Sequence, residues 1–474
     1  DYVDITYDVF SGVGDKKIKI DEKTCRYAQP KNNEKSVLPR ILMKLLSQRK
    51  ETINKIKHKT LITNDDTVYT CFVLDDSNDY KIKCVFTNEI IKIDKNNVKS
   101  CTNTYNEFMI AVLDGLQMAY KITANSLYGQ VGARTSQIYM KELAASTTAT
   151  GRDLILKAKQ FMETNYNANV IYGDTDSIFV DFKVSETYNL YDKEALQKSI
   201  DISIDASSQF KKTLKAPHDL EYEKTFWPFI ILSKKKYVGN LYEFDVNKFK
   251  QKSMGIVLKR RDNANLVKIV YGGIIDILLK KHDIQIAIEF LNKSLIDLID
   301  GKIDMSDLII TKTLRQKYAD PTRIAHKVLA DRMKHRDPGS APQVNDRIPY
   351  IYIQHNSKIK LLQGDKIEHP TYIIDNKLKI DYTFYITNQL LKPICQLLAL
   401  SLFDIPKCKK SPYYYEKKYK SLLKDNCNKK KSFDKIQDLK QVEVKELLFD
   451  GILNDLNNAK LGNRTILEFF PKSM

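Results

Sequence analysis

The sequence is short of the residues that punctuate or staple a chain. It holds 13 prolines and 16 glycines in 474 residues, one tryptophan, and seven cysteines without a single Cys-x-x-Cys. So little Pro and Gly excludes collagen-like or low-complexity architecture. The cysteines (25, 71, 84, 101, 395, 408 and 427) are scattered and odd in number, which points to reduced intracellular thiols and away from a zinc or iron–sulfur module. No run of about 18 uncharged apolar residues occurs, and no signal-peptide pattern opens the chain, so a spanning or secreted protein is not expected. Negative charge is also scarce: 77 Lys and Arg against 59 Asp and Glu leave +18 at pH 7. That balance favours a polyanionic partner, nucleic acid before anionic lipid.

The length suits about three domains, and 43% hydrophobic residues are enough for a sizeable core. The first residue is Asp1, and "DYVDITYDVF" already alternates as a strand does, so a fragment of a longer polypeptide is expected. "SVLPRILMKLLSQRKETINKIK" reads as an amphipathic helix with Ser36 as N-cap and apolar residues at 38, 41, 42, 45, 46, 53 and 56. From about 60 to 104 short β-rich runs follow, read as a small antiparallel insert of five-stranded barrel type. A second helix runs from about Tyr105 to Gly129, the glycine serving as C-cap, and the two helices lie antiparallel with the insert at their far end. Another helix, "ELAASTTATGRDLILKAKQFMETN", precedes a hairpin, and helices dominate beyond 260, with a Lys- and Tyr-rich stretch near 407 to 432.

Three stretches could carry chemistry. At about 100° per residue, Asp114, Gln117, Lys121, Asn125 and Tyr128 share one face of the second helix, opposite Leu113, Leu116, Ala119, Tyr120 and Leu127. That face is either merely solvated or set to grip a phosphate and stack on a base or sugar. In "YGDTDS" two aspartates sit at a hairpin turn where Gly173 allows an unusual backbone angle. They either serve the turn's own hydrogen bonds or offer hard oxygens to Mg²⁺. In "LEYEKTFWPFIILSKKKYVG", Lys234 to Lys236 with Tyr237 are either solvent-exposed charge or a track along a phosphate backbone.

In this order, "KITANSLYG", "YGDTDS" and "KKKYVG" resemble three signatures of family B DNA polymerases, and "GIVLKRRDNANLV" and "MKHRDPGSAPQVNDRIPYIYI" resemble the palm–thumb junction and thumb of the delta-type branch. The opening stretch and the insert look more like polymerases of nucleocytoplasmic large DNA viruses than like cellular enzymes. The resemblance implies an α+β right-hand polymerase with a partial palm β-sheet, antiparallel helical fingers carrying the small β insert, and a mainly helical thumb. Its layout would be a lead-in at 1–35, fingers at 36–129 (helices about 36–58 and 105–129, insert 60–104), palm at 130–258, thumb at 259–450 and a tail at 451–474.

The resemblance also implies roles. Arg49, Lys121 and Asn125 would contact the incoming triphosphate, and Tyr128 would line the base-pair pocket. Asp174 and Asp176 would be catalytic metal ligands, with Glu223 near the two Mg²⁺ ions, for which Mn²⁺ is a substitute; no zinc or iron–sulfur cluster is implied. Lys235, Lys236, Tyr237, Arg336 and Arg347 would hold primer–template DNA. Asn463, Ile466, Phe469 and Phe470 in "NRTILEFFPKSM" have the spacing of a sliding-clamp peptide, although a tail packing on its own domain has it too. The family's other palm carboxylate, in an Asp-x-x-Ser-Leu-Tyr-Pro-Ser-like motif, has no counterpart in these residues, so an upstream polymerase segment is an expected partner. Deoxynucleoside triphosphates would be the substrates, no membrane is involved, and a viral replication site in host cytoplasm or nucleus is the expected location. A noncatalytic DNA-binding subunit or degenerate polymerase is the rival; a Mn²⁺-dependent nucleotide-sugar transferase would explain only the aspartates.

Overall fold

The computed structural model of the protein describes residues 2–12, 17–30, 34–75, 79–355, 361–425 and 429–461, in two compact units, Asp1–Asp181 and Phe182–Met474. The boundary falls inside the range expected for the palm. Helices and sheets are mixed in an α+β arrangement.

The first unit begins with an antiparallel ribbon of β1 (Tyr2–Ser11) and β2 (Ile18–Ala28), whose register slips between Val9 and Phe10. Arg26 donates to both oxygens of Asp4, at 2.8 and 2.9 Å, and Lys19 meets Asp8 at 2.6 Å. Exposed pairs such as these fix geometry more than they add stability.

Helix α1 (Val37–Ile56) leads into β3 (Lys59–Thr63), β4 (Val68–Asp75), β5 (Asp79–Cys84), β6 (Ile90–Asp94) and β7 (Val98–Asn103). The five strands are all antiparallel, in the order β6-β5-β4-β3-β7, around Leu61, Cys71, Ile82 and Cys84. Burial pushes the Cys71 thiol up to about 11. The sheet is open, not the expected barrel: β7 pairs with β3 instead of β6, and so returns the chain to the end of α1 before α2 (Glu107–Gly132) begins. Asn106 caps α2, its Oδ1 accepting from the Met109 N–H at 2.8 Å.

The two helices meet along a seam. Its covered or half-covered residues include Leu38, Leu42, Leu45, Arg49, Thr52 and Ile56 on α1, and Ile110, Leu113, Gln117, Tyr120, Ala124, Leu127 and Val131 on α2. Steps of three and four residues make this a heptad contact. Lys59 pairs with Asn103 just beyond the helix ends, and Arg49 bonds Gln117 further along, so the helices run antiparallel as expected. Three details differ from expectation. Ile41 and Leu46 are exposed, Leu116 is exposed while Gln117 is buried, and α2 continues through Gly129 to Gly132. Nothing lies within 4 Å of a Cβ built on Gly129, so it is an open helical position and not a cap.

Helix α3 (Lys141–Asn165) packs on the ribbon, where Tyr27 donates to Ser146 Oγ at 2.9 Å, and carries the hairpin of β8 (Asn169–Asp174) and β9 (Ser177–Asp181).

The second unit opens with α4 (Val184–Tyr188) and α5 (Asp192–Lys211), followed by a sheet of β10 (Thr225–Ser233), β11 (Lys236–Tyr242) and β12 (Phe249–Met254). Its main core lies between α6 (Asn265–Lys281) and α7 (Ile284–Ile299), where Tyr271, Ile274 and Ile275 join Leu291, Leu295 and Leu298. After α8 (Met305–Leu308) come the strands β13 (Ile310–Thr313), β14 (Arg347–Tyr352) and β15 (Ile367–Glu368), with α9 (Ala325–Arg336) before β14. The remaining helices are α10 (Pro370–Asp375), α11 (Tyr382–Phe384), α12 (Leu391–Leu398), α13 (Pro412–Asp425), α14 (Lys429–Leu448) and α15 (Asp450–Leu461). A π-helical stretch, Tyr385–Leu390, precedes Pro393, which has no N–H for an i−4 carbonyl. Among the described residues no helix is long and apolar enough to cross a membrane.

Candidate active site

The aspartate pair sits on a strained turn. Asp174 pairs with Ser177, leaving Thr175 and Asp176 as the loop, and the Asp176 N–H donates to the Asp174 carbonyl at 2.6 Å. Thr175 between them has φ +58°, a left-handed conformation that costs a β-branched residue about 1–3 kcal/mol. Its hydroxyl donates to Asp174 Oδ1 at 3.0 Å, and Ser177 Oγ donates to the Asp174 carbonyl at 3.2 Å. The unusual angle expected at Gly173 therefore falls two residues on, at Thr175. Gly173 lies within β8 opposite Ile178, and a Cβ there would meet Ile155 of α3 at an ordinary 3.7 Å. Tyr172 and Phe179 face each other across the hairpin with ring centroids 5.5 Å apart. The result is a half-buried Asp174 and an exposed Asp176 held by a rigid base.

Two carboxylates are the right kind of donor for a hard cation but supply only part of the oxygen shell that Mg²⁺ requires. Among the described residues no group of three or more His, Cys, Asp and Glu is arranged to hold a metal ion. The residues present thus do not fit a complete site by themselves. Glu223, which the resemblance puts near the metal ions, pairs with Lys224 at 2.8 Å, and its side chain is 74% exposed.

On α2, Lys121, Asn125 and Tyr128 are exposed and follow Gln117 at helical spacings that keep them on one side of the seam. Arg49 projects from α1 into the same region, its Nε donating to Gln117 Oε1 at 3.3 Å, and Gln117 Nε2 donates to Asp114 Oδ1 at 2.9 Å. Among the described residues neither Arg49 nor Lys121 forms a salt bridge. The helical wheel groups Gln117 with the polar face of α2, whereas the 3-4 spacing from Ile110 to Val131 is the signal that it belongs to the seam.

Lys234 and Lys235 form the two-residue loop between β10 and β11, with Lys235 at φ +59° and Lys236 exposed at the head of β11. Gly255, at φ +63°, is required here, since a Cβ would fall 2.0 Å from the Lys235 carbonyl oxygen. Tyr237 faces inward, with its ring 5.9 Å from Phe226 and 5.5 Å from Phe229.

Arg336 and Arg347 are engaged with their own fold. The Arg336 fork meets the buried Glu368 at 3.0 and 2.9 Å, and Arg347 donates to Thr311, Thr313 and the Arg261 carbonyl. Nearby, the hydrogen bond from Arg260, together with Lys312, holds the Asp262 carboxyl well below the usual range. Asn463, Ile466, Phe469 and Phe470 lie outside the described residues.

Comparison with known proteins gives a consistent answer. Residues 89–400 match the family described as DNA polymerase family B. The chain is 70% identical over 473 residues to a DNA polymerase of Pyramimonas orientalis virus, a match that covers 99% of the chain and 39% of that protein. It is 49% identical over 239 residues to a DNA polymerase of Acanthamoeba polyphaga mimivirus, covering 49% of the chain and 14% of the relative. It is 38% identical over 303 residues to the DNA polymerase delta catalytic subunit of Schizosaccharomyces pombe, covering 61% of the chain and 26% of the relative. The chain thus spans well under half the length of each of these relatives.

Proposed function

The chain belongs to DNA polymerase family B, and from that premise we propose that it carries the fingers, most of the palm and the thumb of a DNA-directed DNA polymerase acting at a viral replication site inside a host cell. The reaction is template-directed addition of a deoxynucleotide: the primer 3′-hydroxyl attacks the α-phosphorus, a new phosphodiester bond forms, and pyrophosphate leaves. The observation that carries this reading is the display of Asp174 and Asp176 on one strained turn. Two Mg²⁺ ions, when bound, supply the charge stabilisation that phosphoryl transfer needs. Asp174 and Asp176 would be two of their ligands, and an upstream polymerase segment would supply the further carboxylate.

Arg49 and Lys121 hold the triphosphate, Asn125 contributes a further polar contact, and Tyr128 borders the nascent base pair. Closing of α1 and α2 on a correct pair brings the two cations onto the phosphates, which couples base shape to assembly of the site. Lys235 and Lys236 follow the primer–template backbone, and Tyr237 secures their loop. Arg336 and Arg347 shape the thumb that grips the duplex; their engagement with Glu368 and Thr311 favours indirect support over direct phosphate contact. The tail from Asn463 to Phe470 engages a sliding clamp.

Single-nucleotide primer extension with Mg²⁺ tests the reading, using this chain alone, the chain with the polypeptide encoded immediately upstream, and an Asp176→Ala version of each. Extension is expected only with the upstream part, and should fall to background on substitution. Unaided extension would mean that a carboxylate within these residues completes the site. Primer–template binding without extension in any arm would favour a noncatalytic DNA-binding subunit.

A further inference from the structure

The seam between α1 and α2 is apolar along most of its length, yet Arg49 and Gln117 meet within it. Gln117 is 9% exposed, and both ends of its amide are assigned by chemistry. A guanidinium can only donate and an ionised carboxylate can only accept, so Oε1 must face Arg49 and Nε2 must face Asp114. An apolar layer here would give a more stable helix pair, since a polar seam residue sets register at a cost in stability. Stability therefore does not account for the Asp114–Gln117–Arg49 chain.

We infer that Gln117 is a positioning residue for the incoming nucleotide: it holds Arg49 by Nε, so that the opposite edge of the guanidinium, with both terminal nitrogens, is presented to the triphosphate. The inference rests on the proposed role of Arg49. Bonding through Nε fixes the plane of the fork while leaving the edge suited to bidentate phosphate contact. Among the described residues no carboxylate forms a salt bridge with Arg49 to compete for that edge. Lys121 follows Gln117 by one turn on α2, so the register locked by Gln117 also sets the span between the two cations. A slip of one turn would move them about 5 Å relative to each other, enough to lose one phosphate oxygen. Asp114 completes the chain by orienting the amide.

The test uses the chain together with its upstream polypeptide, in single-turnover addition of one deoxynucleotide, reading nucleotide Kd and maximal rate alongside Tm. The variants are Gln117→Met, which keeps the length and packing of the side chain, Arg49→Ala, and the double substitution, with Gln117→Leu as a second apolar form should the first not fold. Gln117→Met should leave Tm unchanged or higher while raising nucleotide Kd about tenfold, as expected for loss of a hydrogen bond to a charged group. Arg49→Ala should raise Kd at least as much, and Gln117→Met should add nothing further in that background. If Arg49→Ala weakens nucleotide binding but Gln117→Met does not, or if their effects multiply, Gln117 does not act through Arg49 and the inference fails while the functional reading stands. If Arg49→Ala leaves Kd unchanged, or the unsubstituted protein does not extend, the functional reading fails and takes the inference with it.

Discussion

The guanidinium of Arg336 meets Glu368 through both terminal nitrogens, and Glu368 is 4% exposed. The same guanidinium lies over Tyr372, 3.6 Å from the ring centroid, and Arg332 approaches the carboxylate at 3.6 Å. Removing one partner from such a pair strands a buried charge. Arg336→Ala should therefore destabilise the second unit by about 2–3 kcal/mol, read as a lower denaturant midpoint. The slope of log affinity for primer–template against log salt should stay unchanged; a loss of about one unit in that slope would identify Arg336 as a direct phosphate contact instead.

Lys236 should behave in the opposite way. It is exposed at the end of the lysine loop, so Lys236→Ala should leave thermal stability within about 0.5 kcal/mol while reducing the salt slope of DNA binding by about one. Equilibrium binding at several salt concentrations separates the two arginine and lysine outcomes.

Gly255 links that loop to the fold. Gly255→Ala places a methyl group against the Lys235 carbonyl and puts a side chain at φ +63°. A loss of about 2–4 kcal/mol is expected from backbone strain and steric conflict together, accompanied by weaker primer–template binding. A variant with native melting would show that β12 yields freely at this point.

Thr175 offers a trade between stability and activity. Thr175→Gly relieves the left-handed backbone but removes the hydroxyl that bonds Asp174. Melting temperature should rise, by up to about 1 kcal/mol in free energy, while primer extension falls because the Asp174 carboxylate loses its local tether. Equal or faster extension would mean that the strain has no part in holding the aspartates.

His58 supplies a pH dependence. Burial, with Lys55 adding to it, lowers its pKa from the usual histidine value, and its ring packs edge-on to Phe72 at 4.9 Å. The unfolded chain then binds the proton more readily than the folded one. This stability is fully present above about pH 6.5 and is lost as pH falls toward the lowered folded value. Melting of His58→Phe between pH 7.5 and 5.5 should vary less steeply than that of the unsubstituted protein.

Much of this architecture could be read from local pattern. Ser36 marks a helix start, and the alternation in Val68–Asp75 and Asp79–Cys84 marks strands, because each signal lies within a few residues. The open sheet was less legible, since the choice of β3 over β6 as partner for β7 depends on where the chain must return. The partners of Arg336 and Arg347 lie 32 and 36 residues away, beyond the reach of periodicity. A helical wheel sorts residues by polarity and so groups Gln117 with Lys121 and Asn125, whereas the contact with α1 follows the heptad regardless of polarity. The turn at Asp174 and Asp176 was anticipated, but its strain falls on threonine where the sequence offered a glycine.

The pairing of Lys59 with Asn103 has one more consequence. Antiparallel partners stand about 4.5–5.5 Å apart at Cα, so the insert leaves α1 and rejoins α2 at almost the same point. A graft with both ends side by side can be lengthened, shortened or exchanged without altering the helices that bear it. The tip of this hairpin of helices is therefore a place where a lineage can vary freely, while the Arg49–Gln117 register nearer the chemistry stays untouched.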